Sequence, residues 1–169
     1  CLCEYSGVLS EKDMDPKGKY IALENVRDPS NLGAVCRTAE ALGISGAIMC
    51  GCCDRFGPKA QRAAMGSLLR LPVFETENLP ATLLSLKERG MKLYATTPDE
   101  KAEIITKSNM NGGVVSVIGN EANGISSETL SHSAYAVKIP MRETQESLNA
   151  AVSAGILMYL LKKNEFLQG

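Results

Sequence analysis

A chain of 169 residues, 44% hydrophobic and 22% charged, is long enough for one domain with a sizeable core and too ordinary in composition to be disordered. Its formal net charge of −1 excludes a global basic field, so any nucleic-acid binding has to be local, shared between subunits or supplied by a further domain. The longest apolar run falls short of the ~20 residues of a membrane helix, and the opening CLCEYSGVLSEKD lacks the order of a signal peptide; a cytoplasmic location is expected.

In chain order, YIALENV (20–26) reads as a strand, and SNLGAVCRTAEALG (30–43) as a helix capped by Ser30 and ended by Gly43. GAIMC (46–50) is a second strand. PKAQRAAMG (58–66) opens on proline and closes on glycine, which marks a short helix. LPVFE is a short strand, LPATLLSLKERG a helix and MKLYATT (91–97) a strand. VVSVIG (114–119) is almost wholly apolar, as expected at the centre of a parallel sheet covered on both faces. ISSETLSH is a short helix, and the segment from Tyr135 to Pro140 a strand stopped by its proline. From about Ser147 a final helix runs apolar nearly all round, with only Asn149 and Ser153 interrupting Leu148 to Leu161; such a helix should be buried. The alternation predicts an open, mostly parallel α/β sheet with helices on both faces. Residues 1–18 read as a connecting segment and 19–169 as a single domain; a start at Cys1 rather than Met suggests a piece of a longer chain.

Ligands of such sheets bind outside the carboxyl ends of the strands. Three polar loops leave strand ends: ENVRDPSN, IGNEANG and IPMRETQES, with ATTPDE a weaker fourth. GNEANG stands where a dinucleotide fold would carry GxGxxG, but its third residue is Glu121, which would repel a pyrophosphate. Gly119 and Gly124 suggest tight backbone turns around a smaller ligand; alternatively, Glu121 caps the following helix. On the helix at 30–43, Leu32, Val35, Cys36, Ala39 and Leu42 form a core stripe, and Gly33, Ala34, Arg37 and Ala41 a bare one suited to close packing. Arg37 is a candidate to grip a phosphate or a carboxylate such as Glu121, with a salt bridge to Glu40 as the plain alternative. Ser147 is either a helix cap or part of a ligand site. His132 sits among serines and reads as a surface residue, which makes Ser-His-Asp chemistry a poor fit. The six cysteines form no paired CxxC knuckles and read as reduced thiols rather than a zinc site.

Together, NVRDPSNLGAVCRTAEALG, VIGNEANGIS and KIPMRETQESLNAAVSAGI resemble, in order and spacing, the SpoU (TrmH-like) branch of the SPOUT RNA methyltransferases. The likeness runs from about residue 19 to 163. Ala64 stands where that family commonly has serine, and the loop before Ser147 is longer and less glycine-rich than in many relatives. The resemblance implies a deep C-terminal trefoil knot, which periodicity alone never suggests. It implies S-adenosyl-L-methionine as cofactor, held largely by backbone groups of Thr96, Gly119, Ile139 and Leu148, with Thr97, Ile118, Asn120, Gly124, Met141 and Asn149 around it. It implies a homodimer with its site near the subunit interface, and methyl transfer to a ribose 2′-hydroxyl of RNA, ribosomal before transfer RNA. Arg37 would be catalytic, together with Asn31, Glu121, Ser147 and Asn149. The family proposal makes this arginine the base; because arginine stays protonated, gripping a phosphate and stabilising developing alkoxide suits it better. Arg27, Arg37, Lys59, Arg62 and Arg70 are the expected RNA contacts, and no metal, membrane or DNA is expected. Many relatives carry a small RNA-binding domain upstream. Two other readings remain open at this stage: a non-catalytic RNA-binding or assembly protein of the same fold, and a small-molecule methyltransferase.

Overall fold

A computed structural model of the chain describes residues 8–99, 101–107, 110–142 and 147–167. Cys1, Cys3 and the polar stretch from Glu143 to Glu146 lie outside the described residues. Within them the chain builds β1 (Lys19–Glu24), α1 (Pro29–Ala41), β2 (Gly46–Cys50), α2 (Pro58–Ala64), β3 (Val73–Thr76) and α3 (Leu79–Glu88). It continues with β4 (Lys92–Thr96), β5 (Glu103–Ile104), β6 (Val114–Ile118), α4 (Ser127–His132), β7 (Tyr135–Lys138) and α5 (Ala150–Phe166). The described strands form one sheet in the order β3-β2-β1-β6-β4-β7-β5, with every pairing parallel.

Parallel strands need a crossover between them, so helices come to lie on both faces. Residues of successive parity along each strand therefore enter two different cores. Ile21 and Leu23 of β1 pack with Leu32, Val35 and Cys36 of α1 and Leu157 and Met158 of α5. Tyr20 and Ala22 face the other way, onto Leu79, Leu83 and Leu86 of α3. β6 shows no solvent face at all, with all five residues buried, as its almost wholly apolar run requires.

Two helix starts differ from expectation. Asp28, not Ser30, caps α1, its carboxylate accepting from the Ser30 and Asn31 amides at 2.6 and 3.3 Å. Asn149, not Ser147, caps α5, accepting from Ala151 and Val152 at 2.9 and 3.3 Å. Both stretches carry two cap-competent residues two positions apart, and the one whose side chain reaches back to the orphan amides prevails. α5 is also less enclosed than its composition suggests. Ala150, Ala154, Leu157, Met158 and Leu161 are buried, while Val152 and Tyr159 are 50% and 56% exposed on another face. Gly33 supplies the close packing that its bare stripe suggested, but within the chain. It packs inside the chain against α2, where a Cβ would meet the Ala60 carbonyl and the Ala63 side chain, both at 2.6 Å, so it is unavailable to a subunit contact.

Candidate active site

The register puts β1, β6, β4 and β7 side by side, so the loops leaving their carboxyl ends share one edge of the sheet. The loop after β6 is the most tightly built. Asn120 and Gly124 bridge each other through both backbone amides, at 3.0 and 2.8 Å, and Gly124 takes the left-handed turn with φ +66°. Gly119 lies flat beneath this turn: a Cβ there would come within 2.1 Å of the Gly124 carbonyl carbon. The Asn120 side chain fills the loop, accepting from the Ala122 and Asn123 amides at 2.9 and 3.1 Å and donating to the Asn25 carbonyl at 2.8 Å.

Three side chains, from the starts of α1 and α5 and from the loop itself, meet there. Asn149 donates its amide to the Asn31 Oδ1 at 3.0 Å, and Asn31 donates in turn to the Glu121 carboxylate at 2.7 Å. An amide is required at both inner places, because each must donate with one end and accept with the other. Asn149 therefore caps α5 and holds Asn31 at once. Glu121 is thereby engaged by Asn31 rather than by Arg37. Nor does Glu40 hold Arg37: its carboxylate binds the Arg70 guanidinium and accepts from the Ser67 hydroxyl at 2.5 Å, which together hold it down to about 2. Arg37 is exposed on α1, and among the described residues no hydrogen bond or ion pair engages it.

Below this chain opens a cleft of about 900 Å³. Thr96, Thr97, Ile118, Gly119, Asn120, Gly124, Ile139, Met141 and Leu148 all line it, together with Glu121 and Ser147. Asn149 is not part of the lining, so its place is in the hydrogen-bonded chain rather than at the cleft wall. Its volume suits a ligand of nucleoside-plus-amino-acid size, and its walls mix apolar side chains with backbone and hydroxyl groups. Among the expected RNA contacts, Arg27, Lys59 and Arg62 are exposed, whereas Arg70 is committed to Glu40 and is not a free cation.

Sequence reasoning missed Glu24. Buried at 5% exposure at the end of β1, it accepts from the Ser126 amide, the Ser126 hydroxyl and the Thr129 hydroxyl at 2.8, 2.7 and 2.7 Å. It anchors the far end of the β6 loop, as the Asn25 carbonyl anchors the near end. The only available signal was a carboxylate closing an otherwise apolar strand. Glu24→Leu is expected to destabilise the chain by about 3 kcal/mol, since it strands buried donors that the carboxylate had satisfied. Urea unfolding reads this, and an unchanged midpoint would remove Glu24 from the account.

Among the described residues the buried cysteines are poor nucleophiles. Burial pushes the Cys36 thiol up to about 12 and the Cys52 thiol up to about 11, which keeps both protonated and poorly nucleophilic at neutral pH. Among the described residues no group of His, Cys, Asp and Glu is placed to hold a metal ion. His132 is tied to its own helix, its Nδ1 lying 2.9 Å from the Glu128 carbonyl.

Residues 18–159 match the family model described as the SpoU rRNA Methylase family. The chain belongs to that family. SpoU-family relatives include a 23S rRNA (guanosine-2′-O-)-methyltransferase of Acinetobacter baylyi, 37% identical over an alignment of 162 positions that covers 90% of this chain and 64% of the relative. A 23S rRNA (guanosine(2553)-2′-O)-methyltransferase of Bacillus subtilis is 32% identical over 155 residues, 91% of this chain and 62% of the relative. An AdoMet-bound rRNA methyltransferase from Sinorhizobium meliloti has the same fold, with a TM-score of 0.80 and 30% identity over 91% of this chain and 60% of that one. The chain thus spans about three fifths of the length of these SpoU relatives.

Proposed function

We propose that this chain is the catalytic part of an RNA methyltransferase that transfers the methyl group of S-adenosylmethionine to a ribose 2′-hydroxyl, with ribosomal RNA as the substrate class. The observation that carries the reading is the joining of Asn149, Asn31 and Glu121, one residue from each of the three motifs, directly above a cleft of cofactor size. The named activities of the relatives and the cofactor in one of their structures support it.

The cleft fits the cofactor on its own terms. Backbone of the Gly119–Gly124 turn and of residues 139 and 148 can hold the adenosine, and the hydroxyls of Thr96, Thr97 and Ser147 offer polar partners. When bound, the cofactor supplies a methyl group already activated on a sulfonium. What remains for the protein is to bring the hydroxyl in line and to let its proton leave, to the Glu121 carboxylate or to water, as the oxygen–methyl bond forms and the carbon–sulfur bond breaks. The amide chain fixes Glu121 at the mouth of the cleft, where the carboxylate can accept from a ribose hydroxyl. Arg37 binds the neighbouring phosphate and stabilises the alkoxide as it forms.

Arg37 stands apart from that chain in the single subunit. We assign its working position to a homodimer in which a second copy covers the stripe of exposed Val152 and Tyr159 and half-buried Ile156, three residues on one face of α5. The trefoil knot implied by the family motifs belongs to the same proposal, with the apolar helix α5 threading back to complete it. Incubating the protein with methyl-labelled cofactor and, separately, total RNA, protein extract and small metabolites tests the function. Label in RNA alone is expected; label only in small molecules, or cofactor binding without transfer, would overturn it.

A further inference from the structure

Asn25, the residue after β1, has a left-handed backbone with φ +57°, a conformation that glycine takes freely and other residues rarely do. Its backbone is fully engaged. The amide donates to the Cys50 carbonyl at 2.8 Å, and the carbonyl accepts from the Asn120 side chain at 2.8 Å. The residues on either side are anchored too. Glu24 is buried beneath Ser126 and Thr129, and Val26 is buried with its carbonyl accepting from the Cys53 amide at 3.0 Å. The Asn25 side chain, by contrast, is exposed, and among the described residues no hydrogen bond engages it. Its Oδ1 stands over Gly51 at the end of β2, where a Cβ would come within 2.4 Å of it, so the glycine leaves the room that this side chain occupies. The position borders the site. The Asn120 Nδ2 that binds the Asn25 carbonyl also lies 3.4 Å from the Glu121 carboxylate, so a single donor touches both residues. Asn25 does not line the cleft of cofactor size.

We propose that the Asn25 side chain contacts the base edge of the nucleotide whose ribose is methylated, and so helps to select that nucleotide. The inference rests on the reading of the chain as an RNA methyltransferase. A carboxamide donates and accepts in one plane, and the edge of an unpaired nucleobase carries a donor beside an acceptor, so the two meet through a pair of hydrogen bonds. Recognition of this kind favours a side chain already in place. The anchored backbone around Asn25 supplies that, because little freedom is lost when the base arrives. The left-handed turn points the same way. Glycine would close the end of β1 and present the same carbonyl to Asn120 without steric cost; what asparagine adds is the amide. A ribose is joined directly to its own base. With the ribose hydroxyl at Glu121, a residue one shared donor away is placed for that base rather than for a distant nucleotide.

Asn25→Gly separates the amide from the backbone, since glycine keeps both the left-handed turn and the carbonyl. The variant is expected to match or exceed the parent's melting temperature and to bind S-adenosylmethionine with the parent's affinity by calorimetry. With methyl-labelled cofactor and limiting total RNA, its labelling rate should fall about ten-fold. Alkali-resistant dinucleotides from the two reactions then report base choice: one base at the methylated position for the parent, several for Asn25→Gly. Asn25→Asp, which also tolerates the left-handed backbone but lacks the donor, should lose at least as much rate. A residue serving the backbone alone would behave otherwise, with Asn25→Gly equal to the parent in rate and in base choice. That result, label spread over all bases in the parent, or a loss of cofactor affinity in Asn25→Gly would each overturn the base contact. The two ideas fail separately. A parent that labels one base of total RNA alongside an indifferent Asn25→Gly variant refutes the contact alone, whereas a parent that labels no RNA refutes the reading beneath it and the contact with it.

Discussion

An Arg37→Ala chain is expected to methylate RNA at least ~100-fold more slowly than the parent while holding S-adenosylmethionine within a few-fold of the parent's affinity. Arg37 lies outside the lining of the cleft, so its loss leaves the cofactor's contacts in place. Its neighbour Glu40 is taken by Arg70 and Glu121 by Asn31, which leaves the guanidinium available for a ligand's phosphate. Removing a preorganised cation from beside a developing alkoxide takes away stabilisation that exists only in the transition state, so the turnover rate falls and ground-state binding does not. Arg37→Lys should recover a small part of the rate, since it restores charge but not the planar fork. Single-turnover assays with calorimetry alongside make the comparison; Arg37→Ala turnover near the parent's would remove Arg37 from the mechanism.

Gly119→Ala is expected to weaken cofactor binding by more than ~50-fold, about 2–3 kcal/mol, through the loop rather than through the ligand. A Cβ at this position would meet the Gly124 carbonyl carbon, its oxygen and the Ile125 nitrogen at 2.1, 2.3 and 2.3 Å, all of them backbone. Backbone cannot swing aside as a side chain can, so the Asn120–Gly124 bridge has to open. Opening it releases Glu121, and with it the end of the chain from Asn149 through Asn31. A steric block aimed straight into the cleft would instead spare the loop, and proton exchange at the Asn120 and Gly124 amides distinguishes the two: their protection should be lost with the cofactor affinity. Parent-like affinity in Gly119→Ala would contradict the packing.

The sheet was largely legible in the sequence because its period is loud. Apolar runs such as VVSVI have no polar alternation, and each is followed by a polar loop and a capped helix, which is how a doubly covered parallel sheet reads. β5, two residues long, carries no periodicity and was not seen. The site residues were legible one by one, because Asn31, Glu121 and Asn149 each stand out at the end of an apolar element. Their partnership was not. Glu121 could have paired with Arg37 by charge, and only the register of β1 beside β6 decides that it meets Asn31. Glu24 was invisible for a related reason: a strand-final carboxylate ordinarily faces water, and nothing local says that Ser126 and Thr129 arrive to cover it. The open stripe on α5 reads from sequence as core, since Val152 and Tyr159 are as apolar as the residues that are truly buried. Hydrophobicity states that a surface wants covering; it does not say whether the same chain covers it.

The central claim is that the methyl group arrives on a ribose oxygen. Methyl-labelled RNA from the total-RNA reaction can be hydrolysed with alkali, which cleaves every linkage whose neighbouring 2′-hydroxyl is free. The account predicts that the label stays in alkali-resistant dinucleotides, one per modified site. Label released in mononucleotides would place the methyl group on a base and contradict it.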